Sequence, residues 1–114
     1  MLRRTLPSPS SIRLVTINDV YELTNLPRLS TYLQSLRDSS MSPSADAVLL
    51  AGDFVSPSTL SAVDSGRGIV RTLRAAGVTH VSLGNHEADV KLGVLNERIK
   101  ELGKSAVVVN TNSE

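Results

Sequence analysis

Short apolar runs alternate with leucine-striped segments along this chain, and that alternation restricts the fold more than any other feature. Ile12, Leu14, Val15 and Ile17 predict a first strand that stops at Asn18-Asp19. Leu26, Leu29, Leu33 and Leu36 fall on one stripe of a 3.6-residue period, which predicts a helix from about Leu26 to Arg37. Asn25 is placed to cap it, and Pro27 sits in the first turn, where a missing N–H is harmless. A polar turn from Asp38 to Ser44 leads to Ala47-Val48-Leu49-Leu50-Ala51, a continuous apolar run expected of a strand buried on both faces. It ends at Gly52-Asp53. A loop holding Pro57 and Ser58 precedes a second helix, about Arg67 to Ala76, with Ile69, Val70, Leu73 and Ala76 as its stripe and Gly77 closing it. Val78 to Leu83 predicts a third strand ending at Gly84-Asn85-His86-Glu87. Lys91 to Leu102 predicts a third helix on Leu92, Leu95, Ile99 and Leu102, and Ala106 to Val109 a fourth strand ending at Asn110.

The expected order is therefore β-α-β-α-β-α-β, an α/β chain with mainly parallel strands joined by right-handed crossovers. Its 114 residues match the common size of one domain, roughly 100–150. Residues 1–11 read as a flexible tail and 12–114 as the folded part. The tail has Arg3, Arg4 and several serines, and the first carboxylate of the chain is Asp19. That is the pattern of an organellar transit peptide, set against a plain frayed terminus in a cytoplasmic protein with no apolar signal core.

Composition excludes several functions. Twelve basic residues face eleven acidic ones, and aromatics make up 3% of the chain, so neither a basic surface nor a stacking platform for nucleic acid is expected. No run approaches the roughly 18 apolar residues of a membrane span. Without cysteine there are no disulfides, thiolate metal sites or cysteine nucleophiles.

In a parallel sheet the carboxyl ends of the strands share one edge, where open α/β folds bind ligands. Asp19, Asp53, Asn85 and His86 are thereby brought to one rim. Two carboxylates and an amide oxygen suit hard divalent cations. Asp53 is the best placed to bridge two of them, because Gly52 permits close backbone approach. His86 is then left to act on substrate, with Asp89 three residues on to hydrogen-bond it and keep it protonated. The remaining polar residues have plainer readings. His80 is a satisfied strand residue, Glu87 caps or solvates its loop, and Arg67, Arg71, Arg74, Arg98 and Lys100 lie on solvated helix faces.

Taken in order, Ile-Asn-Asp-Val-Tyr-Glu, Leu-Ala-Gly-Asp-Phe-Val-Ser-Pro-Ser and Leu-Gly-Asn-His-Glu-Ala-Asp resemble the calcineurin-like metallophosphoesterase superfamily, and within it the 5′-nucleotidase branch. That branch reads Asn-Asp-x-His, Gly-Asp and Gly-Asn-His-Glu-Phe-Asp. The resemblance covers about Ile12 to Asn112 and implies the N-terminal half of an αββα sandwich. It implies two divalent metal ions (Zn, Mn, Mg or Fe), with Asp19 on the first, Asp53 bridging both and Asn85 on the second. His86 would stabilise the transition state or protonate the leaving oxygen, partnered by Asp89. The implied reaction is attack of a metal-activated hydroxide on a phosphomonoester, in this branch a nucleoside phosphate or related small molecule.

Two positions depart from the pattern. Tyr21 stands where the branch has a histidine, either as a metal ligand itself or as a space-filling replacement. The later histidine and the Gly-His-x-His pair that complete both metal shells do not occur after His86. Three ligands do not fill two shells of four to six. The expectation is thus an incomplete domain, inactive alone and needing its C-terminal half, or else a non-catalytic metal- or phosphate-binding relic. A doubly wound nucleotide-binding domain of another kind is disfavoured, since the first two strand-end loops lack its Gly-rich fingerprint. A half-sandwich would also leave one sheet face or edge uncovered.

Overall fold

The computed structural model describes residues 12–38, 47–103 and 106–109. The predicted tail, the polar turn after Asp38 and Asn110 lie outside these residues. The elements are β1 (Leu14–Ile17), α1 (Leu26–Asp38), β2 (Ala47–Ala51), α2 (Thr59–Asp64), α3 (Arg67–Ala76), β3 (His80–Ser82), a 3₁₀ turn (His86–Asp89), α4 (Leu92–Leu102) and β4 (Val107–Val109).

The four strands form one parallel sheet in sequence order, β1-β2-β3-β4. Ile17 lies opposite Leu50, Leu50 opposite Val81, and Val81 opposite Val108. Right-handed crossovers between successive neighbours place their helices on the same side of a sheet. Here α1 packs on α3 and α3 on α4 to make that layer. Its core joins Val48, Leu50 and Val81 of the sheet to Ile69, Val70 and Leu73 of α3, with Leu33, Leu95 and Leu102 from the flanking helices. Burying each such side chain stabilises the fold by about 1.5–3 kcal/mol.

The alternation of burial along the strands identifies the other face. Val48, Leu50 and Val81 are buried, whereas Leu14 and Val107 are 55% and 57% exposed. The apolar run Ala47–Ala51 is thus fully buried on one face only, because the helices occupy one side. Among the described residues no helix is long and apolar enough to cross a membrane.

Other expectations need correction in detail. The segment before α3 contains an extra helix, α2, nucleated by a reciprocal cap. Ser58 accepts from the Ser61 N–H at 2.9 Å, and Ser61 Oγ accepts from the Ser58 N–H at 2.9 Å. Asp64 then accepts from the N–H groups of Gly66 and Gly68 at the start of α3. Leu92 is 72% exposed rather than part of the α4 stripe, whose buried residues are Leu95, Arg98 and Leu102. Arg98 is therefore not on a solvated face: its side chain is enclosed between α4 and the α2–α3 junction, against Glu101 and the Asp64 carbonyl.

Candidate metal centre

Asp19 follows β1, Asp53 follows β2, and Asn85 and His86 follow β3, so all four stand at the carboxyl edge of the sheet. Two of these residues have unusual backbones. Asp19 and Asp53 lie in the left-handed region, at φ 52° and 57°. Aspartate tolerates this conformation better than most residues, yet it persists only where the surroundings enforce it.

The surroundings are main-chain contacts between neighbouring loops. The Val20 N–H donates to the Asp53 carbonyl at 3.0 Å, tying the first loop to the second. Gly52 and Gly84 tie the second to the third by close approach. A Cβ on Gly52 would fall 2.7 Å from the Gly84 nitrogen, and one on Gly84 would overlap the Asp53 carboxylate. Asp53 Oδ1 accepts from the His86 N–H at 2.9 Å.

The side chains continue this connection. Tyr21 donates its hydroxyl to Asp19 Oδ1 at 2.8 Å, and the Asn18 amide donates to Oδ2. The hydrogen bond to Asp19, with lesser contributions from desolvation and neighbouring carboxylates, pushes the Tyr21 phenol up to about 12. The rings of Tyr21 and His86 meet edge to face at 5.9 Å between centroids. His86 Nδ1 lies 2.7 Å from Asp89 Oδ2. A 3₁₀ turn has three residues per turn, so side chains three apart eclipse, and that brings His86 and Asp89 together. Asn85 opens the same turn with its side chain exposed and not used for capping. A cleft of about 510 Å³ is lined by Asp19 together with Tyr21, Glu22 and Asn25, Leu26 and Leu29 of the α1 entry.

The Asp89 hydrogen bond raises the His86 pKa above the ordinary imidazole value. The pair therefore stabilises the fold below about pH 6.5, and this contribution is lost as pH rises through the higher folded value. Asp89→Asn is expected to lower the His86 titration midpoint, read by NMR of the imidazole carbons. An unchanged midpoint would show that Asp89 does not hold the proton.

Of the two plain readings of Glu87, capping and solvating its loop, the structure keeps the first and overturns the second. Glu87 is 1% exposed and does not solvate its loop. Its carboxylate accepts four main-chain N–H groups, from Asp53, Phe54, Val55 and Gly84. The sequence carries no signal of this enclosure, since Lys91 four residues on would suit an ordinary surface carboxylate. His80 is a partly buried strand residue with Nδ1 2.9 Å from Thr79 Oγ1, in keeping with its plain reading.

The donor types at the rim suit hard cations: two carboxylates and an amide oxygen on three adjacent loops. Their number does not close a shell. Among the described residues no three His, Cys, Asp or Glu side chains group closely enough to hold a metal ion. Asp19, Asp53 and Asn85 thus supply oxygen donors of the right type without forming a closed group among the described residues.

The structure thus sets acidic and Asn-His strand ends along one edge of a parallel sheet. The family model for calcineurin-like phosphoesterases matches residues 12–112, and the chain belongs to that family. Its members carry out metal-dependent phosphoester hydrolysis and generally use divalent metal ions. Searches of curated proteins and of solved structures each gave no significant match.

Proposed function

We propose that this chain is the N-terminal part of a metal-dependent phosphomonoesterase acting on nucleoside 5′-phosphates or related nucleotides, and that ligands outside these 114 residues complete its metal shells. The observation that carries this reading is the meeting of the three strand-end motifs at one rim, with His86 held by Asp89 at 2.7 Å. Asp19, Asp53 and Asn85 would hold the ions, which when bound lower the pKa of a water and neutralise phosphate charge.

The chain's own side chains have separate tasks. With Nδ1 engaged by Asp89, His86 presents Nε2 to the substrate and donates a proton or hydrogen bond to the leaving oxygen. Tyr21 acts through Asp19, orienting its carboxylate by the 2.8 Å hydrogen bond. The cleft beside Asp19 gives room for a substrate body larger than phosphate.

The test compares two lengths of protein. The complete domain is expected to hydrolyse AMP in Mn²⁺ or Zn²⁺ and to lose about 10²–10⁴-fold in kcat on His86→Ala. The 114-residue chain alone is expected to turn over nothing. Robust AMP hydrolysis by the short chain would overturn the need for further ligands. Hydrolysis of p-nitrophenyl phosphate but of no nucleotide by the complete domain would overturn the substrate class.

A second reading, a relic that binds metal or phosphate without turnover, is favoured by Tyr21 in place of a histidine and by the small donor set. The transcript beyond Glu114 separates the two. An in-frame Gly-His-x-His supports the enzyme, and a genuine stop supports the relic.

A further inference from the structure

We propose that Glu87 is a positioning residue for this rim: a buried carboxylate that fixes the spacing between the loop bearing Asp53 and the loop bearing Asn85 and His86. Its bearing on metal binding rests on the reading of the rim given above.

The argument begins with unpaired backbone. Just past β2 and β3 the chain leaves the sheet, so the N–H groups there have no strand partner. Buried N–H groups without acceptors are costly, about 1–3 kcal/mol each. Phe54 and Val55 are fully buried, which removes water as the acceptor. Glu87 replaces it. Oε2 accepts from Asp53 at 2.9 Å and from Gly84 at 2.6 Å. Oε1 accepts from Phe54 at 2.8 Å and from Val55 at 3.1 Å. An ionised carboxylate has about four acceptor sites, and all four donors are main-chain groups that converge as in an anion-binding nest.

The pairing on Oε2 matters most. One oxygen binds a donor from each loop, so it sets their separation directly. Asp53 is also the left-handed residue at φ 57° whose carboxylate accepts from the His86 N–H. Glu87 thus holds the Asp53 backbone from inside while His86 meets its side chain from outside. Groups that orient metal-facing side chains typically change affinity by about 10–100-fold when removed.

Glutamine is the informative replacement. It has the same shape, but its amide nitrogen presents donors where two N–H groups already point. Glu87→Gln is expected to shift the amide resonances of Asp53, Gly84 and His86, and to speed exchange at Asp53, Phe54, Val55 and Gly84 by at least about 10-fold. Mn²⁺ affinity, measured by calorimetry on the complete domain with and without the substitution, is expected to fall about 10–100-fold. Leu102→Ala serves as the control, since it weakens the core without touching either loop. It is expected to leave those amides and the Mn²⁺ affinity unchanged.

If Glu87→Gln does not fold, the wild type decides alone. Scalar couplings across the hydrogen bonds, from the four amide nitrogens to the Glu87 carboxylate carbon, are expected, and their absence would overturn the proposal. So would unshifted Asp53 and His86 amides in Glu87→Gln, or a Mn²⁺ affinity that Glu87→Gln and Leu102→Ala reduce equally. Should the wild type bind no Mn²⁺, the metal reading of the rim fails. The amide shifts, which need no metal, then still decide whether Glu87 sets the loop spacing.

Discussion

Gly52→Ala is expected to lower the melting temperature by more than about 10 °C. Two costs combine at this position. The residue sits at φ 83°, where a side chain is strained by about 1–3 kcal/mol. The new Cβ would also lie 2.7 Å from the Gly84 nitrogen and 2.8 Å from its Cα. These are backbone atoms of the adjacent loop, so they cannot rotate away as a side-chain tip would, and forcing them apart costs a further ~1–3 kcal/mol. Together the two costs come to about 2–6 kcal/mol, with a middle of about 4 kcal/mol, and each kcal/mol moves the midpoint of a small domain by about 4–8 °C. Gly93→Ala makes the internal comparison. Gly93 lies inside α4, and a Cβ there meets nothing within 4 Å. Alanine at that position is expected to stabilise by about 0.5–1 kcal/mol. Thermal unfolding followed by circular dichroism measures both, and equal responses at the two glycines would refute the close approach of the loops.

Arg98→Ala is expected to cost about 2–3 kcal/mol in urea unfolding. The Arg98 guanidinium is buried and bonds Glu101 Oε1 at 3.0 Å and Glu97 Oε2 at 3.2 Å. Breaking a buried pair typically costs about 3–5 kcal/mol, because a charge is left uncompensated. The smaller figure follows from Glu101, which is partly exposed and also lies 3.4 Å from Arg67 Nε. The network is incompletely satisfied: Arg98 Nε and Glu101 Oε2 are buried without a hydrogen-bond partner among the described residues. A double change, Arg98→Met with Glu101→Leu, is therefore expected to recover at least half of the loss. A double variant as unstable as the sum of both single changes would show that packing, not charge pairing, holds α4 to its neighbours.

Much of the architecture could be read from period alone. The stripe Ile69, Val70, Leu73 and Ala76 is the buried face of α3, and the four apolar runs are the four strands. The gathering of Asp19, Asp53, Asn85 and His86 at one edge follows from parallel pairing, with no tertiary information required. Tyr21 stands two residues after Asp19 in the sequence. The two do meet, although residues 18–22 lie beyond β1.

What escaped the sequence shares one cause. Glu87 and Arg98 have the composition of surface residues, and only the folded positions of distant segments decide that they are enclosed. Glu87 is buried by amides more than thirty residues away. Arg98 reaches a carbonyl thirty-four residues earlier. The α2 helix was missed for a different reason: its cap pairs serine with serine, without the Glu or Gln that marks the usual motif.

The grip of Glu87 on Phe54 and Val55 has a consequence for how this region can vary. What it holds at those positions is an N–H, which every amino acid but proline supplies. The order of the rim is therefore written in the main chain and is largely indifferent to side-chain identity there. Drift at positions 54 and 55 is limited by the volume of the core on one side and by the exclusion of proline on the other. Position 87, by contrast, answers for all four amides at once, so sequence freedom along the loop is gained by concentrating constraint in a single carboxylate.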